Sequence, residues 1–90
     1  MYFQEEANRI FLEDDKGTLL AEVTFPERQK NVVEIDHTFV SETLRGQGVA
    51  SELLDAVAKK VRREGKKIIP ICSYAVKWFE KNPQYADLII

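Results

Sequence analysis

The chain has 90 residues, 44% hydrophobic and 31% charged, with a net charge of −2 and a pI near 5.4. That balance suits one modest core; it argues against wholesale disorder and against a general nucleic-acid binder, which would carry a basic excess. No apolar run approaches the roughly 20 residues that span a bilayer, and the acidic start, Met1-Tyr2-Phe3-Gln4-Glu5-Glu6, is unlike a secretory or mitochondrial address. The expectation is one domain over residues 1–90, monomeric and cytoplasmic, with no nucleic-acid or membrane partner. The sole cysteine, Cys72, excludes an internal disulfide and is expected to be a free thiol. One His and one Cys make a poor ligand set, so no metal is expected.

Asn8 to Glu13 reads as a strand with Ile10 and Leu12 on one face and Phe11 on the other. Asp14-Asp15-Lys16-Gly17 is a turn with a glycine bulge, and Thr18 to Phe25 alternates, with Leu19, Ala21, Val23 and Phe25 on one face. The two strands should form a hairpin. Pro26 to Lys30 is polar and breaks the pattern. Asn31 to Val40 reads as one longer strand, with Val33, Ile35, His37 and Phe39 on one face and Val32, Glu34, Asp36, Thr38 and Val40 on the other.

A helix is expected from Gln47 or Gly48. Val49, Ala50, Leu53, Leu54, Val57, Ala58 and Val61 make one stripe; Gly65 suits the C-terminal cap. Lys67 to Cys72 is a short strand in which Pro70, lacking an amide proton, demands an edge or a bulge. Ser73 can cap a helix to about Lys81 with Tyr74, Ala75, Trp78 and Phe79 on one side, ended by Asn82-Pro83. The tail from Tyr85 to Ile90 should dock on the core. The predicted fold class is α+β with an α/β-type core and a mixed sheet. Its order is βββ-α-β-α, with a central strand–helix–strand crossover.

The segment Val40-Ser41-Glu42-Thr43-Leu44-Arg45-Gly46-Gln47-Gly48-Val49-Ala50-Ser51 lies between a strand and an amphipathic helix. Gly46 and Gly48 permit a tight turn and close backbone approach. The first amides of a helix lack internal partners and carry positive partial charge, so a pyrophosphate satisfies such a loop. Arg45 adds a charge and Ser51 a hydroxyl donor. Two glycines before a helix can also be only a tight turn. The Gly-Lys-Ser/Thr of a P-loop is absent, and the third glycine of the dinucleotide fingerprint is replaced by Ser51.

Arg45-x-x-Gly48-x-Ala50, preceded by Val40, resembles the acetyl-CoA motif of GNAT-type acetyltransferases. The ordered set His37-Thr38-x-Val40, Arg45 to Ala50, Pro70-x-Cys72-Ser73-Tyr74-Ala75 and Asn82-Pro83-x-Tyr85-x-Asp87-Leu88 resembles the small, roughly one-hundred-residue members of that family. The resemblance covers about residues 30 to 90 and implies a minimal GNAT-like fold. It implies an acetyl-CoA or coenzyme A site at Phe39, Val40, Arg45, Gly46, Gln47, Gly48, Val49, Ala50 and Ser51, with amides from Arg45 to Ala50 on the pyrophosphate. The pantetheine arm would run beside Phe39 and Val40 into a splay between strands 31–40 and 67–72, close to Cys72. It further implies acetyl transfer to a small-molecule or peptide amine, directly or through acetyl-Cys72. The sequence departs from the family at Asn82, where His is usual, and at Phe39, where an acidic residue is common. The helices that cover the acceptor site in larger relatives are missing, so a CoA-binding module with little transferase activity is the alternative.

Cys72, at a strand end before a helix N-terminus, is a candidate nucleophile, against the plain reading of a small buried hydrophobe. His37 is the candidate catalytic base, against a histidine that merely satisfies a hydrogen bond. Glu34 and Asp36 could serve as bases but read more simply as a solvated strand face. Tyr74 could protonate a leaving thiolate, or be an ordinary helix-face aromatic.

Overall fold

In the computed structural model, which describes residues 2–90, the chain opens on antiparallel pairing. β1 (Gln4–Glu6) pairs with β2 (Arg9–Glu13), and β2 with β3 (Leu19–Thr24). β1 is wholly exposed and polar, so hydrophobic patterning gives no sign of it. The β2–β3 turn forms as its sequence requires: Gly17 sits at φ 82° and donates to Asp14 O, while the Asp14 carboxylate accepts from the amides of Lys16 and Thr18. Ile10, Ala21, Val23 and Phe25 enter the core. Phe11 takes the opposite face, covered by the Arg9 guanidinium 3.7 Å from its ring centre.

The run from 31 to 40 is two strands in two sheets. β5 (Val32–Ile35) is the middle strand of a three-stranded sheet, antiparallel to β4 (Glu27–Gln29) and parallel to β7 (Lys67–Pro70). β6 (His37–Val40) instead ends the four-stranded sheet, antiparallel to β3. Asp36 is the junction, donating its amide to Thr24 O and accepting from the Thr24 hydroxyl. Both Asp36 and His37 face outward, so the strand carries one residue more than strict alternation allows, and its two faces exchange there. Val33 and Ile35 are buried before the junction; after it Thr38 and Val40 take the inner side and His37 and Phe39 the outer. This corrects the expectation that His37 and Phe39 share a face with Val33 and Ile35. β4 adds to a second one: Pro26 to Lys30 is polar and breaks the apolar pattern as expected, yet Glu27–Gln29 within it forms a strand that pairs with β5 as an exposed hairpin turned by Asn31 at φ 63°.

α1 (Val49–Glu64) buries Val49, Leu53, Leu54, Val57, Ala58 and Val61, the expected stripe except that Ala50 is only half-buried. Each fully buried leucine contributes about 1.5–3 kcal/mol. Gly65, at φ 70°, closes the helix: its amide donates to Arg62 O and that of Lys66 to Val61 O. α2 (Ser73–Glu80) buries Ala75, Trp78 and Phe79. Its cap position is Cys72, not Ser73, and no side chain caps it; Tyr74 is 40% exposed rather than on the buried side. A 3-10 turn, Pro83–Leu88, docks Tyr85 and Leu88 on the core, with Tyr85 stacked on Trp78 and its hydroxyl donating to Asp55. Among the described residues no helix is long and apolar enough to cross a membrane.

Candidate functional site

After β6 the Ser41 amide makes a last rung to Leu20 O at 2.7 Å, and the Ser41 hydroxyl accepts from the Thr43 amide to start a 3-10 turn over Glu42–Leu44. The Arg45 amide closes that turn on Glu42 O. The amide of Arg45 is therefore engaged, which moves the expected cradle one residue along the chain. From Gly46 through Ser51 no amide donates to a protein acceptor in any described hydrogen bond; the first internal bond of α1 runs from Glu52 N to Gly48 O. Gly48 caps the helix in the left-handed region at φ 75°, and Gly46 lies at φ 81°. An added Cβ at either would meet nothing within 4 Å, so the sense of the backbone turn, rather than crowding, calls for glycine. The result is a row of unpaired donors at the positive end of a 16-residue helix.

These amides open on a cavity of about 150 Å³. Residues 45–51 apart from Gln47 line it, together with Val40, Leu44 and Tyr74. Leu44 and Tyr74 escaped the sequence-based cofactor set because nothing local distinguishes them; only the folding of β6 and α2 against the loop brings them in. Burial raises the Tyr74 phenol above its ordinary value, so it keeps its proton at neutral pH. Phe39, expected among the cofactor residues, lies outside this lining because its side chain takes the outer face of β6. Gln47 borders a second, larger groove of about 580 Å³, which shares Gly48 and Ser51 with the first. The Ser51 hydroxyl oxygen accepts from Trp78 Nε1 at 2.8 Å, which leaves its own proton for another acceptor.

The sheet opens beside this cavity. Parallel pairing of β5 with β7 reaches Ile35 opposite Pro70, and the amides of Ile71 and Cys72 both then donate to Ile35 O, at 2.9 and 3.0 Å. Past that point β6 follows β3. The Ser41–Leu20 bond fixes which alternate residues face β3, so the main-chain groups of Thr38 and Val40 point to the open edge. Across the gap Cys72 Sγ lies 3.5 Å from Thr38 Oγ1. Cys72 is half-buried.

The structure does not bring His37 to Cys72. Its imidazole is 54% exposed on the outer face, 3.5 Å from Glu22, whose carboxylate also pairs with Arg9. Glu34 and Asp36 are held by Arg28, at 3.1 and 3.6 Å.

A parallel strand–helix–strand unit, with an uncapped glycine loop at the head of its helix and strands that part beside it, defines the α+β acetyltransferase fold. The chain belongs to the GCN5-related N-acetyltransferase (GNAT) family, whose model matches residues 9–88. It is 33% identical over 75 residues to Protein NATD1 of Gallus gallus, covering 81% of this chain and 64% of that protein. The Homo sapiens protein of that name matches over the same 81% of the chain and 63% of its own length, so the chain spans less than two thirds of these relatives. A GCN5-like protein of Staphylococcus aureus, solved by NMR, superposes with a TM-score of 0.83 at 38% identity, covering 99% of this chain and 87% of that one. A GNAT family N-acetyltransferase of Escherichia coli, in complex with CoA, shares the fold at a TM-score of 0.58 and 23% identity over 67% of this chain and 37% of that one.

Proposed function

We propose that this chain binds acetyl-CoA and transfers the acetyl group to an amine-type acceptor. The observation that carries the reading is the row of unpaired amides from Gly46 to Ser51, opening on a cavity at the head of the sheet splay. Pyrophosphate oxygens suit these donors, with the Arg45 guanidinium as a countercharge and the Ser51 hydroxyl as a further donor. The exposed main-chain groups of Thr38 and Val40 offer the alternating donor and acceptor that the amides of a pantetheine arm require. The CoA bound by the Escherichia coli relative supports the same assignment. Acetyl-CoA supplies an acyl group activated as a thioester; the chain supplies position and oriented donors.

Cys72, across the gap from Thr38, is the candidate nucleophile at the opening: the acetyl group passes either straight to the amine or first to Cys72 Sγ and then to the amine, and CoA leaves as its thiol in the first transfer. His37, turned outward onto Glu22, is not assigned as a base for that thiol. A second reading, a CoA-binding module with little turnover, draws support from the same outer placement and from the engagement of Glu34 and Asp36 by Arg28.

An amide NMR titration with acetyl-CoA tests the site. Saturable shifts centred on Gly46 to Ser51, with smaller ones at Thr38, Val40 and Cys72, are expected. A folded sample with no shifts at millimolar ligand would remove both readings. Binding without turnover over a broad panel of amines and peptides favours the second. Under the covalent path Cys72→Ala abolishes transfer; full activity in that variant leaves only direct attack.

A further inference from the structure

Cys72 is held at both its backbone and its side chain by one short stretch of chain. Its amide donates to Ile35 O at 3.0 Å, and its sulfur lies 3.5 Å from Thr38 Oγ1. Ile35 ends β5 in one sheet, and Thr38 lies in β6 of the other, just past the Asp36 junction. On its other side Cys72 caps α2, its carbonyl accepting from Val76 N at 3.1 Å. A strand and a helix therefore fix the backbone of Cys72, and only rotation about χ1 remains to place the sulfur.

Thr38 takes its side of the sheet from the extra residue at the junction. Strict alternation from Val33 and Ile35 would turn position 38 outward. The exchange of faces at Asp36 and His37 turns it inward instead, opposite buried Val23. The hydroxyl and the carbonyl of Thr24 both hold Asp36, so the exchange is built into the sheet. Threonine is branched at Cβ, which restricts χ1 and gives the hydroxyl a set direction. Valine would keep that shape and lose the polar contact with sulfur. The main-chain groups of Thr38 meanwhile point to the open edge, where the pantetheine arm is proposed to pair. One residue thus faces both the arm and the thiol.

We infer that Thr38 is a positioning residue for acyl transfer to Cys72, its hydroxyl holding Sγ at the edge on which the arm lies. The inference rests on the cofactor site proposed above and takes the path through acetyl-Cys72. In that step the Cys72 sulfur bonds to the acetyl carbon as the carbon–sulfur bond of acetyl-CoA breaks. CoA leaves as its thiol, taking up the proton that Cys72 gives up, and one thioester replaces another. An amine then takes the acetyl group, and the proton it loses restores the Cys72 thiol.

The test follows acetylation of Cys72 by mass spectrometry in the full chain, at excess acetyl-CoA with no amine present. The unaltered chain should form acetyl-Cys72. Thr38→Val should lower the maximal rate about tenfold or more while the acetyl-CoA concentration at half-maximal rate stays within about twofold, because the main chain that meets the arm is unchanged. Thr38→Ala should match Thr38→Val, and either suffices where amide spectra show that the other does not fold. Thr38→Ser, which restores a hydroxyl, should recover most of the rate. Thr38→Val or Thr38→Ala acetylated as fast as the unaltered chain, or Thr38→Ser as slow as Thr38→Val, would overturn the inference. So would an unaltered chain that binds acetyl-CoA and leaves Cys72 unmodified, a result that keeps the cofactor assignment and points to direct attack. Failure of the folded, unaltered chain to bind acetyl-CoA would overturn the two together.

Discussion

The two ends of α1 are both glycines in the left-handed region, Gly48 at φ 75° and Gly65 at φ 70°, yet they are finished differently. At Gly65 the carbonyls of Val61 and Arg62 receive the amides of Lys66 and Gly65, and Arg62 and Arg63 oppose the negative end of the dipole. At Gly48 no side chain caps the helix and the amides back to Gly46 have no partner. A serine, threonine or aspartate cap takes extended backbone, which Gly48 at φ 75° does not adopt, so no capping side chain satisfies those donors. One end is closed for stability; the other leaves donors free for an outside acceptor.

The comparison can be broken most drastically by removing the support both ends share. Leu54→Ala, at a fully buried position, should cost about 2–5 kcal/mol, lowering the melting midpoint of a chain this size severely or unfolding it. Gly48→Ala and Gly65→Ala isolate the ends themselves. Each forces a β-carbon into the left-handed region and should cost about 1–2 kcal/mol in thermal or urea unfolding. Only Gly48→Ala should also weaken acetyl-CoA binding, by about tenfold or more, because its new methyl group enters the face offered to the ligand. Equal loss of affinity in the two variants would remove the distinction drawn between the ends.

Smaller effects sharpen it. Arg45→Ala should weaken acetyl-CoA about fivefold by calorimetry and flatten the salt dependence, since the exposed guanidinium is a screened charge beside the cradle. Along the middle of the helix, burial first, then the hydrogen bond to Asp55, push the Tyr85 phenol up to about 12 from its ordinary 10. The unfolded chain releases this proton at lower pH than the folded one. The resulting stabilisation is therefore complete below about pH 10 and is lost as pH rises towards 12. Urea unfolding across that range should show the decline, and Tyr85→Phe should reduce its slope while leaving both helix ends unchanged.

The closed end of α1 was legible in the sequence because every partner is local: Gly65, the basic last turn and the stripe from Val49 to Val61 all lie within one helix. The turn at Gly17 was legible for the same reason. The open end was only half legible. The glycine loop marks a place where amides face outward, but whether Arg45 contributes its amide depends on the 3-10 turn before it, which ties that amide to Glu42. Strand 31–40 was misread because alternation is counted along one chain, whereas the residue that breaks it, Asp36, is set by Thr24 across the sheet. That single extra residue carried His37 away from Cys72 and onto Glu22. The exposed strands β1 and β4 carry no apolar period, so only pairing with β2 and β5 makes them visible.

By itself, then, the sequence determined the local order: which segments alternate, which segment coils, where glycine must turn the chain, and which short ordered set resembles the GNAT family. Those properties depend on neighbours a few residues away. The tertiary structure alone decided that β5 and β6 belong to different sheets, that Thr38 and Val40 present a free edge, and that Tyr74, Ser51 and Trp78 meet at the loop. Each of these follows from hydrogen bonds and packing between residues far apart in the chain, and such partners have no signature in a single strand's pattern.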